Sequence, residues 1–185
     1  MIWNKHNHIK NTHSFLSPSQ PYWLNYTKEK LQASFNNHRM AVMGTRLHNL
    51  ADECVKLGVR LPKTKASLNC FVNDAIGFGM KTEQVLYFSA NCFGTADAIL
   101  FRDNMLRIFD LKTGRTPGKV EQLEIYAALF CLEYNINPAD IEFDLRIYQN
   151  DEIVMYEPPQ QLILDHMQTI RNWDSMISEM RLEHE

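Results

Sequence analysis

The chain has no run approaching the roughly 20 apolar residues that a membrane span needs, so no membrane partner is expected. Its first residues, MIWNKHNHIKNTHSF, lack the apolar core of a signal peptide. Positive charge is not in excess: 19 Lys and Arg stand against 22 Asp and Glu, a formal net charge of -3. That excludes the global basic field of a stoichiometric nucleic-acid binder, and any nucleic-acid contact must be local. Only four cysteines occur, Cys54, Cys70, Cys92 and Cys131, and none forms a CxxC pair. This argues against a zinc knuckle and offers no disulfide framework, which fits reduced thiols and a cytoplasmic setting. Glycine and proline number seven each and nowhere cluster into a linker, no repeat is visible, and no P-loop is present. At 185 residues one domain is expected, with residues 1–14 as a loose tail.

What is there reads as alternating helices and strands. Ser17-Pro-Ser19 precedes QPYWLNYTKEKLQASF, which predicts a short Ser-capped helix. A second helix is predicted from about Arg39 to Leu57, stopping at Gly58, and a third over 68–80. From Thr82 the segments EQVLYFSA, FGTADAILF and MLRIFDLKT are rich in β-branched and aromatic residues and predict strands. After Thr116-Pro-Gly118 comes a long helix, KVEQLEIYAALFCLEYN, and then DIEFDLRIYQND and EIVMYEP as two strands, turning at Asn150-Asp151. A last helix over 159–183 carries Ile163, Met167, Ile170, Trp173, Ile177 and Met180 as an apolar stripe, expected to pack on the core. The sum is an α/β fold, a mixed sheet flanked by helices.

The stretch GTADAILFRDNMLRIFDLKTG, residues 94–114, places Asp97, Asp110 and Lys112 among apolar residues. A two-residue turn at Asp103-Asn104 would set Arg102 opposite Met105, Phe101 opposite Leu106, Ile99 opposite Ile108 and Asp97 opposite Asp110. The two carboxylates would then face each other with Cβ atoms about 5 Å apart, and Lys112 would share their face by strand alternation. Either the hairpin is solvated and these charges point to water, or something neutralises them. The economical neutraliser is a hard divalent cation, Mg²⁺ or Mn²⁺, with the lysine ammonium beside it to hold or activate water.

Four spaced motifs extend the pattern. Gly94-Thr-Ala-Asp97 and Asp110-Leu-Lys112 fall on successive predicted strands, Gln122-Leu-Glu-Ile-Tyr126 on the following helix, and Gly44-Thr-Arg-Leu-His48 on the upstream one. Together they resemble the PD-(D/E)xK nuclease superfamily, in particular its RecB-like branch that includes phage exonucleases. The resemblance runs from about Ser17 to Tyr148 and implies a restriction-endonuclease-like core.

It implies metal-dependent phosphodiester hydrolysis on DNA, as an exonuclease in phage or bacterial recombination, repair or replication. Alternatives are a structure- or site-specific endonuclease on the same core, or a non-catalytic nuclease-fold module that binds nucleic acid or protein. By the resemblance His48, Asp97, Asp110 and the backbone carbonyl of Leu111 would hold the metal, and Lys112 would orient and activate water. Gln122 and Tyr126, one turn apart on a shared helix face, would position substrate or the lysine; plain helix packing is the alternative. Asp52 and Glu83 are weaker candidates near the site, with ordinary surface acids as the other reading. Arg115 and Lys119, and less directly Arg46, are the basic residues expected to meet phosphate. The iron-sulfur members of the branch carry a C-terminal cysteine cluster, and no cysteine follows Cys131, so no cluster is expected. A short chain acting on DNA also implies a homo-oligomer or a recombination or replication partner, in a bacterial or, if phage-encoded, host-cell cytoplasm.

Overall fold

The computed structural model describes residues 14–114 and 116–182. The loose tail expected at the N-terminus therefore lies outside the described residues apart from Ser14, as does Arg115. Five strands, β1 (Lys81–Ser89), β2 (Cys92–Arg102), β3 (Met105–Leu111), β4 (Glu142–Gln149) and β5 (Glu152–Tyr156), form one sheet in chain order. All neighbours are antiparallel except β3 and β4, which run parallel. That parallel pair requires a crossover, supplied by helix α3 (Val120–Glu133). With α1 (Lys28–Leu57), α2 (Ser67–Phe78) and α4 (Gln160–Leu182), the chain is α/β with a mixed sheet flanked by helices. This architecture is compatible with a restriction-endonuclease-like core.

The chain divides into two compact units, Met1–Met43 and Gly44–Glu185. In the first, the expected Ser-capped helix is instead a five-residue 3₁₀ helix, Pro21–Asn25, whose preceding residue Gln20 makes no side-chain cap. The Trp23 indole N–H donates to the Ser17 carbonyl. The two early helices predicted from sequence are one: α1 starts after Thr27, whose hydroxyl accepts the Lys30 N–H at 3.2 Å. Its apolar spacing is too irregular to read as one amphipathic stripe, but no proline interrupts it between Lys28 and Leu57.

In the second unit the sheet separates two cores. One joins Leu86, Ala96, Ile99, Leu106 and Ile108 to α3 and to Ile163 and Met167 of α4. The other joins Ala98, Phe109, Leu111 and Tyr148 to Ala51 and Cys54 of α1 and to Phe71, Val72 and Ala75 of α2. Helix α2, expected over 68–80, ends at Gly79 with φ 75°, whose N–H returns to the carbonyls of Ala75 and Ile76. Glu124 of α3 is buried, and its carboxylate accepts from Tyr156 of β5 at 2.8 Å and lies 3.0 Å from His166 of α4, tying three elements together.

Both predicted hairpins close on two-residue turns with positive φ, 53° and 55° at Asp103-Asn104 and 53° and 61° at Asn150-Asp151. The first sets the expected register, Arg102 with Met105, Phe101 with Leu106 and Ile99 with Ile108. The stripe on α4 behaves differently from expectation. Ile163 and Met167 are buried and Ile170 packs against them, but Trp173, Ile177 and Met180 are exposed. A helix of 23 residues is about 35 Å long and outruns the 14-residue α3, about 21 Å, on which it packs.

Phe109 is fully buried, edge-on to Phe78 and tilted against Tyr148, with the Arg146 guanidinium 4.7 Å from its ring centre. Phe109→Ala is expected to cost about 3–5 kcal/mol, with a correspondingly lower midpoint in urea at unchanged slope.

Candidate metal and phosphodiester site

The alternation of β2 breaks at Asp97. Ala96 packs into the α3-side core and Ala98 into the α2-side core, although residues two apart on a regular strand point the same way. The partner strand does the same, since the Thr82 hydroxyl reaches Asp52 of α1 while Leu86, of the same parity, packs into the α3-side core. Thr82 pairs with Ala98 and Gln84 with Ala96, so Glu83 stands opposite Asp97, and its φ of 50° lies in the left-handed region. The two strands roll together at this point.

The roll corrects one expectation. The β2–β3 ladder stops at Ala98 with Phe109, so Asp97 and Asp110 are not a facing pair. Asp97 instead turns one carboxylate oxygen to accept the Leu111 N–H at 2.8 Å, satisfying a donor that the ladder no longer serves. The same oxygen lies 3.5 Å from Nδ1 of His48 on α1. Gly44, one turn before His48, allows α1 to approach the strand end: a Cβ there would sit 2.7 Å from the Thr113 hydroxyl.

Asp110 is 4 % exposed. Its Oδ1 accepts from Nζ of Lys112 at 3.1 Å, while Oδ2 is buried with no hydrogen-bond partner among the described residues. Burial, and after it the charge of Asp97, pushes the Asp110 carboxyl above its ordinary value, against the pull of Lys112. His48 is raised above the usual imidazole range by its hydrogen bond to Asp97; burial opposes this and the Asp97, Asp110 and Glu83 charges add to it. An unpartnered, desolvated carboxylate oxygen beside a second carboxylate is what a bound cation relieves, so the residues fit a divalent ion.

Glu83, flagged only weakly by sequence, joins the site: ligand atoms of His48, Glu83 and Asp97 all lie within 4.8 Å of one another. Although Glu83 is exposed, partial desolvation and the charges of Asp97 and Asp52 raise its carboxyl. The signal was its strand register opposite Asp97, which requires knowing how β1 pairs. Asp52 is drawn off elsewhere, holding Lys56 at 2.8 Å and accepting from the Thr82 hydroxyl.

Lys112 links the carboxylates to α3. Its Nζ donates to Asp110 and, at 2.8 Å, to Oε1 of Gln122, whose amide donates to the Tyr126 hydroxyl at 3.3 Å. The i, i+4 spacing of Gln122 and Tyr126 makes this relay possible. Gly94 makes room for its far end, because a Cβ there would come within 2.8 Å of the Tyr126 ring. Burial, then the Asp97 and Asp110 charges, raise the Tyr126 phenol, with the Gln122 bond and Lys112 opposing. Among the basic candidates, Lys119 is exposed and lines the same cleft as Lys112, whereas Arg46 is an exposed residue of α1.

Comparisons with protein-family models, with curated proteins and with solved structures found no match.

A carboxyl whose folded value is raised stabilises the fold below its free value near 3.8 and loses that contribution as pH rises toward the folded value. Asp110→Asn removes the loss. In chelator at neutral pH the variant is expected to melt higher than the native chain, by about 1–3 kcal/mol of relieved burial, with the difference shrinking toward pH 4. Mn²⁺ should raise the melting temperature of the native chain only.

Proposed function

We propose that this chain is a metal-dependent deoxyribonuclease of the PD-(D/E)xK type, an exonuclease acting on DNA ends in recombination, repair or phage replication. The observation that carries the reading is the buried, unpartnered Oδ2 of Asp110 beside Asp97, with Lys112 held between Asp110 and Gln122. Asp97, Asp110 and His48 would hold Mg²⁺ or Mn²⁺, with the Leu111 carbonyl as a backbone ligand and Glu83 as an added carboxylate. The mixture of hard oxygens and one imidazole suits Mn²⁺ at least as well as Mg²⁺. When bound, such an ion supplies Lewis acidity toward a phosphoryl oxygen and a more acidic water.

The protein's own contribution is positional. A lysine ammonium has three N–H donors and no acceptor. Two are committed, to Asp110 and Gln122, which fixes the direction of the third toward a water or a phosphoryl oxygen. Gln122 is fixed in turn by Tyr126, so the lysine approaches the reacting phosphate with little rotamer freedom left to lose. Asp97 is anchored by the Leu111 amide and cannot swing away when charge changes in the site. Exposed Lys119, which lines the cleft beside Lys112, supplies local positive charge in a chain with a net negative one.

End-labelled linear DNA beside a closed circle tests the reading. Linear DNA is expected to be lost with Mg²⁺ or Mn²⁺ and spared in EDTA, with Asp110→Ala inactive and Lys112→Ala slowed roughly 10²–10⁴-fold. Cutting of the circle would mean an endonuclease, and no cleavage or metal binding under any condition would leave a binding module. Gly94→Ala is expected to lower kcat at unchanged Mn²⁺ affinity, because its methyl displaces Tyr126 without touching the carboxylates.

A further inference from the structure

The polar relay forms one side of an open cleft of about 650 Å³, a volume within the range of small-ligand sites. Lys112, Gln122 and Tyr126 line it together with Phe93, Ile125 and Glu121. Apolar surface here is unusually exposed: Ile125 is 42 % accessible on a helix whose other apolar residues are largely buried, and Phe93 is 62 % accessible. Phe93 also stacks on Tyr87 across the β1–β2 pair, at 6.3 Å between ring centres and 29° between planes. The loop at the cleft's other side sits close against the lysine, because Gly118 leaves no room for a Cβ between Ile147 and Lys112.

These walls discriminate between the two parts of a nucleotide. A phosphate gains nothing from Phe93 or Ile125; it is drawn instead to Lys112 and Lys119, which line the same cleft, and is repelled by the Glu121 carboxylate. The flat face of a nucleobase gains from apolar and aromatic contact and carries no charge to be repelled. A duplex, however, already covers both faces of each base by stacking, so only an unpaired nucleotide has a face to offer. The cleft is continuous with the lysine relay, so a strand with a phosphate at Lys112 has an adjoining base at the cleft mouth.

We propose, resting on the nuclease reading above, that this cleft receives an unpaired nucleobase next to the reacting phosphate, which makes single-stranded or frayed DNA ends the substrate class. The test measures binding of a short single-stranded oligodeoxynucleotide to the full chain in EDTA, where nothing is hydrolysed. It is compared with the same strand made abasic near its ends and with a blunt hairpin. The intact strand is expected to bind about tenfold more tightly than either, the worth of roughly one base stack. Ile125→Asp should abolish the difference between intact and abasic strands, and Phe93→Ala, at a more exposed position, should reduce it if the first variant folds poorly. Equal binding of intact and abasic strands by the native chain overturns the assignment, as does an undiminished difference in both folded variants. If Mg²⁺-dependent hydrolysis persists while base dependence is absent, the cleft assignment alone fails. If no divalent cation supports hydrolysis, the nuclease reading fails and the assignment built on it falls too.

Discussion

Asp110 lies at the end of β3, nearly inaccessible, with one oxygen on Lys112 and the other without a hydrogen-bond partner among the described residues. Burying a carboxylate with one oxygen unsatisfied is costly, and its raised affinity for a proton expresses that cost. The surroundings can be understood as responses to it. Lys112 compensates one oxygen, Gln122 and Tyr126 hold the lysine there, and Gly94 and Gly118 clear space for the ring and the lysine stem. A core of ordinary stability has no use for such an arrangement, since an apolar residue at 110 would pack with less penalty. Local destabilisation that a ligand can relieve is what a binding or catalytic centre requires.

The roll of β1 and β2 at Glu83 and Asp97 turns a regular sheet into a site. Had the β2–β3 ladder continued one more pair, Asp97 would have faced Asp110 and the Leu111 N–H would have been spent on backbone. Ending the ladder frees that amide to anchor Asp97 and brings Glu83 to the same place as His48. The parallel β3–β4 pair keeps β3 fixed from the other side through Leu111 and Tyr148, so one strand end is loosened on one edge only.

Much of this was legible in the order of the residues. The turns at Asp103-Asn104 and Asn150-Asp151 are local chemistry, because residues tolerant of positive φ between two apolar runs dictate a hairpin and its register. The spacing of Gln122 and Tyr126, the helix stop at Gly58, and the placement of Asp110 and Lys112 on one face are likewise properties of short segments. The single long α1 was not legible, since its apolar spacing is irregular and its cap, Thr27, sits inside what read as a helix. The exposed end of the α4 stripe was not legible either, because periodicity marks a face and not what covers it.

The sequence by itself determined the α/β order of elements, the two tight hairpins and the motif residues, all set by interactions reaching no further than a turn or a strand pair. Only the tertiary structure decided that Asp97 leaves the ladder for the Leu111 amide, that Glu83 joins His48 and that Asp52 does not, and that apolar surface stays open beside Lys112. Those outcomes depend on where β1, α1 and α3 converge around one buried charge, and convergence of distant segments is not written in local spacing.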